Sequence, residues 1–101
     1  MKKYYGVHRL YGGVPPELTL QVIVVDNGQC VAYHPLSEET PFTEWLGGVA
    51  ILSGEEAVDI RFPATMDAIR DLLLGTAGNN VWHIGAEDCS SGMVSRIRRL
   101  R

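Results

Sequence analysis

The apolar and polar positions divide the chain into short strand-like runs and one helical stripe. Tyr4 to Tyr11 is rich in aromatic and β-branched residues and stops at Gly12-Gly13, which predicts a first strand. Pro15-Pro16 predicts an extended connector, because each ring fixes φ and removes an N–H. Leu18 to Val25 predicts a second strand, and Val22-Ile23-Val24-Val25 is apolar on both faces, as in a strand covered on both sides. Asp26-Asn27-Gly28 then marks a tight hairpin turn, since Asn and Gly tolerate the positive φ of a type I′ turn. The chain returns along Gln29 to His34.

Leu36 to Phe42 carries Pro35 and Pro41 at its ends and Glu38-Glu39 within, and reads as a solvated loop. Thr43 to Leu46 leads into Gly47-Gly48, and Val49 to Leu52 is a short apolar strand. Ala57 to Phe62 alternates, with Val58, Ile60 and Phe62 opposed to Asp59 and Arg61, which predicts a half-buried strand. A helix follows over 66–74. Thr65 is its N-cap, Asp67 complements its positive end, and Met66, Ile69, Leu72 and Leu73 form the apolar stripe. Gly75 is the expected stop. Val81 to Ile84 predicts another strand. In residues 93–101, Met93, Val94, Ile97 and Leu100 suit a helix, while Ser95 to Arg98 equally suits an edge strand whose charges deter aggregation; strand is the reading preferred.

These elements define an α+β fold that is mostly β: six or seven strands in a small sandwich or partly open barrel with one helix. A length of 101 residues fits one domain, residues 1–101, with a core that needs neither disulfides nor metal. No apolar run approaches the roughly 18 residues that span a bilayer. Polar and aromatic residues follow Met1-Lys2-Lys3 where a secretory signal needs an apolar segment, so the cytoplasm is the expected compartment. Cys30 and Cys89 are the two cysteines, read as reduced and partly buried. The net charge of −3 is unevenly spread: Lys2, Lys3 and Arg9 open the chain and Arg96, Arg98, Arg99 and Arg101 close it. Such ends suit weak pairing with Glu38, Glu39, Glu55 and Glu56.

Candidate chemistry is sparse. His8, His34 and His83 all fall on expected strands, but no pair has metal-ligand spacing and no CxxC or HExxH occurs, so no metal site is expected. Ser53-Gly54 and Ser90-Ser91-Gly92 lie in turns and not in a nucleophile elbow. Cys89 follows Glu87-Asp88, whose charge opposes thiolate formation. Gly12-Gly13 and Gly47-Gly48 precede no helix and so make no phosphate loop. The run Arg96-Ile97-Arg98-Arg99-Leu100-Arg101 is basic, but it lacks aromatic stacking residues and belongs to an acidic chain, which disfavours nucleic acid. Trp45 beside the Gly pair is the most distinctive feature: it either caps the core over a close backbone approach or lines a pocket with Glu44, His34 and His83.

The hairpin around Asp26-Asn27-Gly28 and the run into Gly47-Gly48, residues 18 to 52, resemble the opening of the small β-sandwich domain that amidohydrolase-type enzymes carry beside their barrel. Where that family has a metal-binding His-x-His, this chain has Glu44-Trp45-Leu46-Gly47-Gly48, so no catalytic residue carries over. The Thr-Glu-Trp-x-Gly-Gly segment is also similar to one in short bacterial proteins, which implies no activity. The expectation is a non-enzymatic interaction or structural module without cofactor, binding a second copy of itself or another protein and no membrane. A small-molecule-binding or enzymatic domain with its pocket near Trp45 is the alternative.

Overall fold

A computed structural model describes residues 1–37 and 42–101. Its strands are β1 (Lys2–Tyr11), β2 (Glu17–Asp26), β3 (Gln29–Pro35), β4 (Thr43–Trp45), β5 (Val49–Ser53), β6 (Ala64–Thr65), β7 (Asn80–Ile84), β8 (Met93–Val94) and β9 (Arg98–Leu100). Helix α1 is Met66–Leu74 and α2 is Ala86–Ser91. Seven strands form one mixed sheet in the order β3-β2-β1-β5-β7-β9, with β4 also paired to β1; β6 and β8 make a second, two-stranded sheet. The protein is therefore α+β and mostly β, with one main helix over residues 66–74. Among the described residues no helix is long and apolar enough to cross a membrane.

The β2–β3 hairpin turns at Asn27 (φ 52°) and Gly28 (φ 74°), the two positive φ values that a type I′ turn requires. Val22 to Val25 are all buried, in keeping with their apolar pattern. Pro15-Pro16 does not run extended between separate elements: it closes a second hairpin, in which Tyr11 faces Glu17 and the Gly12 amide donates to the Pro16 carbonyl at 3.1 Å. The sheet then curls until β3 meets β7, with the Cys30 amide donating to the Asn79 carbonyl at 2.7 Å.

Curling separates two apolar clusters. Val7, Leu10, Ile23, Val25, Ala50, Leu52, Val81 and Leu100 fill the inside of the roll. Val49, Ile51, Trp82 and Ile84 face outwards and are covered by Ile69 and Leu73 of α1 and by Val94. Strands β5 and β7 thus contribute alternate residues to the two clusters, which is why they are buried throughout. Both cysteines are free, Cys30 buried and Cys89 half-buried.

The helix forms as its sequence directs at the N-terminus, where Thr65 Oγ1 accepts from the Ala68 amide at 3.1 Å. Leu72 is exposed, so the buried stripe narrows to Ile69 and Leu73. Gly75 keeps a right-handed φ of −65° and is no left-handed cap. Instead Ser53, fully buried, donates its hydroxyl to the Leu73 carbonyl at 2.6 Å and accepts the Glu55 amide at 3.0 Å.

Residues 57–62 form no strand. Their alternation reports half-burial only in part: Val58 and Ile60 pack on the outer cluster as a strap, while Phe62, expected on the same face, is exposed. A ladder needs a free edge, and both edges of β5 and of β7 are already paired. The chain end resolves into two strands on different sheets, β8 against β6 and β9 against β7. Helix α2 had no sequence signal because none of its six residues is buried, so no apolar stripe exists to be read. The expected loop around Glu38-Glu39 lies outside the described residues. Of the basic ends, Met1 pairs with Asp26 at 3.2 Å. Glu55 instead accepts Thr76, Asn80 and Trp82 donors.

A candidate binding cleft beside the Gly47-Gly48 turn

Strands β4 and β5 both run parallel to β1, at Tyr4–Gly6 and at Arg9–Tyr11, and Gly47-Gly48 joins them. Gly48 has a φ of +63°, and a Cβ there would collide with the Ile84 carbonyl oxygen. Only glycine fits both constraints. Its carbonyl accepts two consecutive amides, His8 at 3.1 Å and Arg9 at 3.2 Å. The Gly6 carbonyl likewise accepts the Leu46 and Gly47 amides. From Gly6–Trp45 to Arg9–Val49, β1 advances three residues against four on the turn side, so the turn carries one extra residue, a β-bulge that re-aims the side chains beyond it. Val7 and Leu10, three apart, both reach the inner cluster, while Tyr11 packs on the outer one.

The bulge places His8, Arg9 and Tyr11 along a cleft of about 400 Å³, closed by Gly48, Val49, Met66 and, from α2, Ala86, Cys89 and Ser90. That volume suits a small organic molecule. The Gly48 amide donates to His8 Nδ1 at 3.1 Å, so in the neutral ring Nε2 carries the proton. The His8 ring meets Trp45 edge to face, with centroids 4.9 Å apart. Arg9 Nη1 donates to Glu17 Oε1 at 2.6 Å, and the Tyr11 hydroxyl donates to the same oxygen at 3.4 Å. The Arg70 guanidinium lies 5.0 Å from the Tyr11 ring centre. The Cys89 thiol donates to the Ile84 carbonyl at 3.7 Å, and burial, reinforced by the Asp88 charge, raises its pKa.

The four residues singled out in the sequence occupy different places. Trp45 lies against Gly6, where a Cβ would approach Trp45 Cε3 to 2.7 Å, and is half exposed. His83 is buried on β7, its Nε2 donating to the Gly47 carbonyl at 3.0 Å, so Trp45 and His83 reach the Gly pair by different routes. Burial lowers the His83 pKa, and Arg98 opposite it on β9 acts in the same direction. His34 is on β3, paired with Val22, with Nδ1 3.0 Å from the Pro35 carbonyl. Glu44 belongs to another groove, with Lys2, Lys3, Tyr4, Tyr5 and Phe42.

His8, one of the three strand histidines, is the histidine that lines the cleft, packed on Trp45. Arg9, Tyr11 and Ser90 carried no pattern that marks a pocket, because a bulge and a six-residue helix bring them together. Among the described residues no three His, Cys, Asp or Glu side chains gather as a metal site. Arg99 is not free for phosphates: its Nη2 donates to the Gly28 carbonyl and to Asn80 Oδ1. Comparison with family models, curated proteins and solved structures finds no match to this chain.

Proposed function

We propose that this protein is a non-enzymatic binding module whose working surface is the cleft between β1, the Gly47-Gly48 turn and α2. The observation that supports it is the bulge in the Gly47-Gly48 turn opposite His8-Arg9. It gives up regular pairing in the middle of the sheet and turns polar side chains towards a cavity, an arrangement that bulges recur in beside binding sites. Two groups in the cleft that could react are engaged: His8 Nδ1 by the Gly48 amide, and the Cys89 thiol by a carbonyl and a raised pKa. Two unpaired thiols support a reducing compartment such as the cytoplasm.

A fragment screen read by amide chemical shifts tests this. Hits shift Gly48, Val49 and Cys89, and Ala86→Trp, which fills the cleft, removes them. Hits that shift only residues elsewhere, or no hits at all, dispose of the reading.

A protein-binding or self-associating module is the second reading. It is favoured by Phe42, 95% exposed at the groove formed with Lys2, Lys3 and Tyr4. The sheet edges offer less: β3 carries a bulge and Pro35, and β9 is three residues long with Arg98 and Arg99, features that deter pairing. Sedimentation across a hundredfold concentration range decides it; an unchanging monomer counts against self-association.

A further inference from the structure

The charge of the cleft differs from that of the chain. The protein carries a net charge of −3, yet none of the described residues lining the cleft is acidic, and Arg9 is its formal cation. Two carboxylates beside it are engaged. Asp88 accepts the Ser95 amide at 2.9 Å and the Ser95 hydroxyl. Glu17 sits on Arg9 itself, with both side chains about half exposed at 51% and 53%. Arg70 adds a second positive charge over Tyr11, although Asp67 holds its Nη2 at 3.0 Å.

We infer that the cleft takes a small organic carboxylate, its anionic end on the Arg9 guanidinium in place of Glu17 and its apolar body against Tyr11, Val49 and Met66. Glu17 is the stand-in that shows which group this guanidinium accepts. A planar guanidinium matches a carboxylate with two parallel N–H···O bonds, and a half-exposed ion pair is held weakly enough to exchange. A free acetate has no advantage over Glu17, which is already tethered nearby. A ligand that also covers the half-buried Met66 and Tyr11 does, because it removes apolar surface from water. His8 Nε2–H and the Ser90 hydroxyl are neutral donors for further polar groups. Glu17 is then a built-in competitor, and it sets a threshold on which carboxylates bind.

The inference rests on the cleft being the binding surface. Benzoate is titrated into the whole chain at low ionic strength, with benzyl alcohol as the neutral probe, and the amides of His8, Gly48, Val49 and Cys89 are followed. Benzoate should bind about tenfold more tightly than benzyl alcohol. E17Q should strengthen benzoate severalfold, and R9Q should bring it down to the level of benzyl alcohol. Both substitutions lie at half-exposed positions, and unchanged unfolding midpoints show that they leave the fold intact. Equal binding of the two probes, or a preference that survives R9Q, overturns the inference. Benzyl alcohol shifting the cleft amides with no preference for benzoate leaves the cleft reading standing and removes the carboxylate; if neither probe moves those amides, both fall.

Discussion

Gly48 and His8 hold each other through both polar groups of the Gly48 backbone: the Gly48 amide donates to His8 Nδ1, and the Gly48 carbonyl accepts the His8 amide. This exchange fixes the histidine ring, the bulge and the start of β5 at once. Trp45 completes it by packing edge to face on the same ring.

Gly48→Ala should therefore be among the most damaging single substitutions in the chain. The new Cβ meets the Ile84 carbonyl and the backbone stays in the left-handed region. Strain of this kind with overpacking costs more than about 3 kcal/mol. Gly85→Ala is the control, because nothing lies within 4 Å of a Cβ there. Urea unfolding of the two variants measures the contrast, and similar midpoints would contradict the account of the turn.

Ser53→Ala should loosen the end of α1. It strands the Leu73 carbonyl and the Glu55 amide in a buried place, at a cost of about 1–3 kcal/mol. Hydrogen exchange should quicken first in the last turn of α1. Uniform protection across α1 would show that Gly75 alone ends the helix.

Stability should fall on mild acidification because of His83. Burial holds its folded pKa below the ordinary value of 6.5, so the unfolded chain binds the proton more readily. The contribution is complete above about pH 6.5 and is lost as pH falls from there through the lowered folded pKa. Arg98 is the cation that opposes protonation in the fold. Denaturant titrations from pH 7.5 down to 5 should show this slope, and His83→Gln should flatten it.

Asn80→Ala should open the seam where the sheet curls. Asn80 Oδ1 accepts from both Gln29 and Arg99, and Nδ2 donates to the Glu55 carbonyl. Losing an acceptor for a charged donor costs about 1.5–3 kcal/mol. Faster exchange of the Cys30 amide, which bonds to Asn79 across the seam, is the local readout. A change confined to Glu55 would mean that the latch to β3 is not carried by Asn80.

Local chemistry was sufficient for the elements whose cause is local. Asn27-Gly28 turns the chain because those two residues alone accept its φ values, and Thr65 starts α1 because its hydroxyl serves an amide three residues on. Val22 to Val25, apolar on both faces, are buried on both. The alternation of residues 57–62 reports burial for Val58 and Ile60 but not for Phe62, and it misleads on pairing, since whether a partner edge is free is a property of the whole sheet. The cleft belongs to the same class. His8, Arg9, Cys89 and Ser90 are brought together by a bulge that depends on Gly48, forty residues from His8, and by a helix with no buried face. Sequence determines which residues can turn, cap and be buried, because those preferences act over a few bonds. Which side chains share a cavity was decided by tertiary structure, because it depends on how strands distant in sequence divide the available hydrogen bonds.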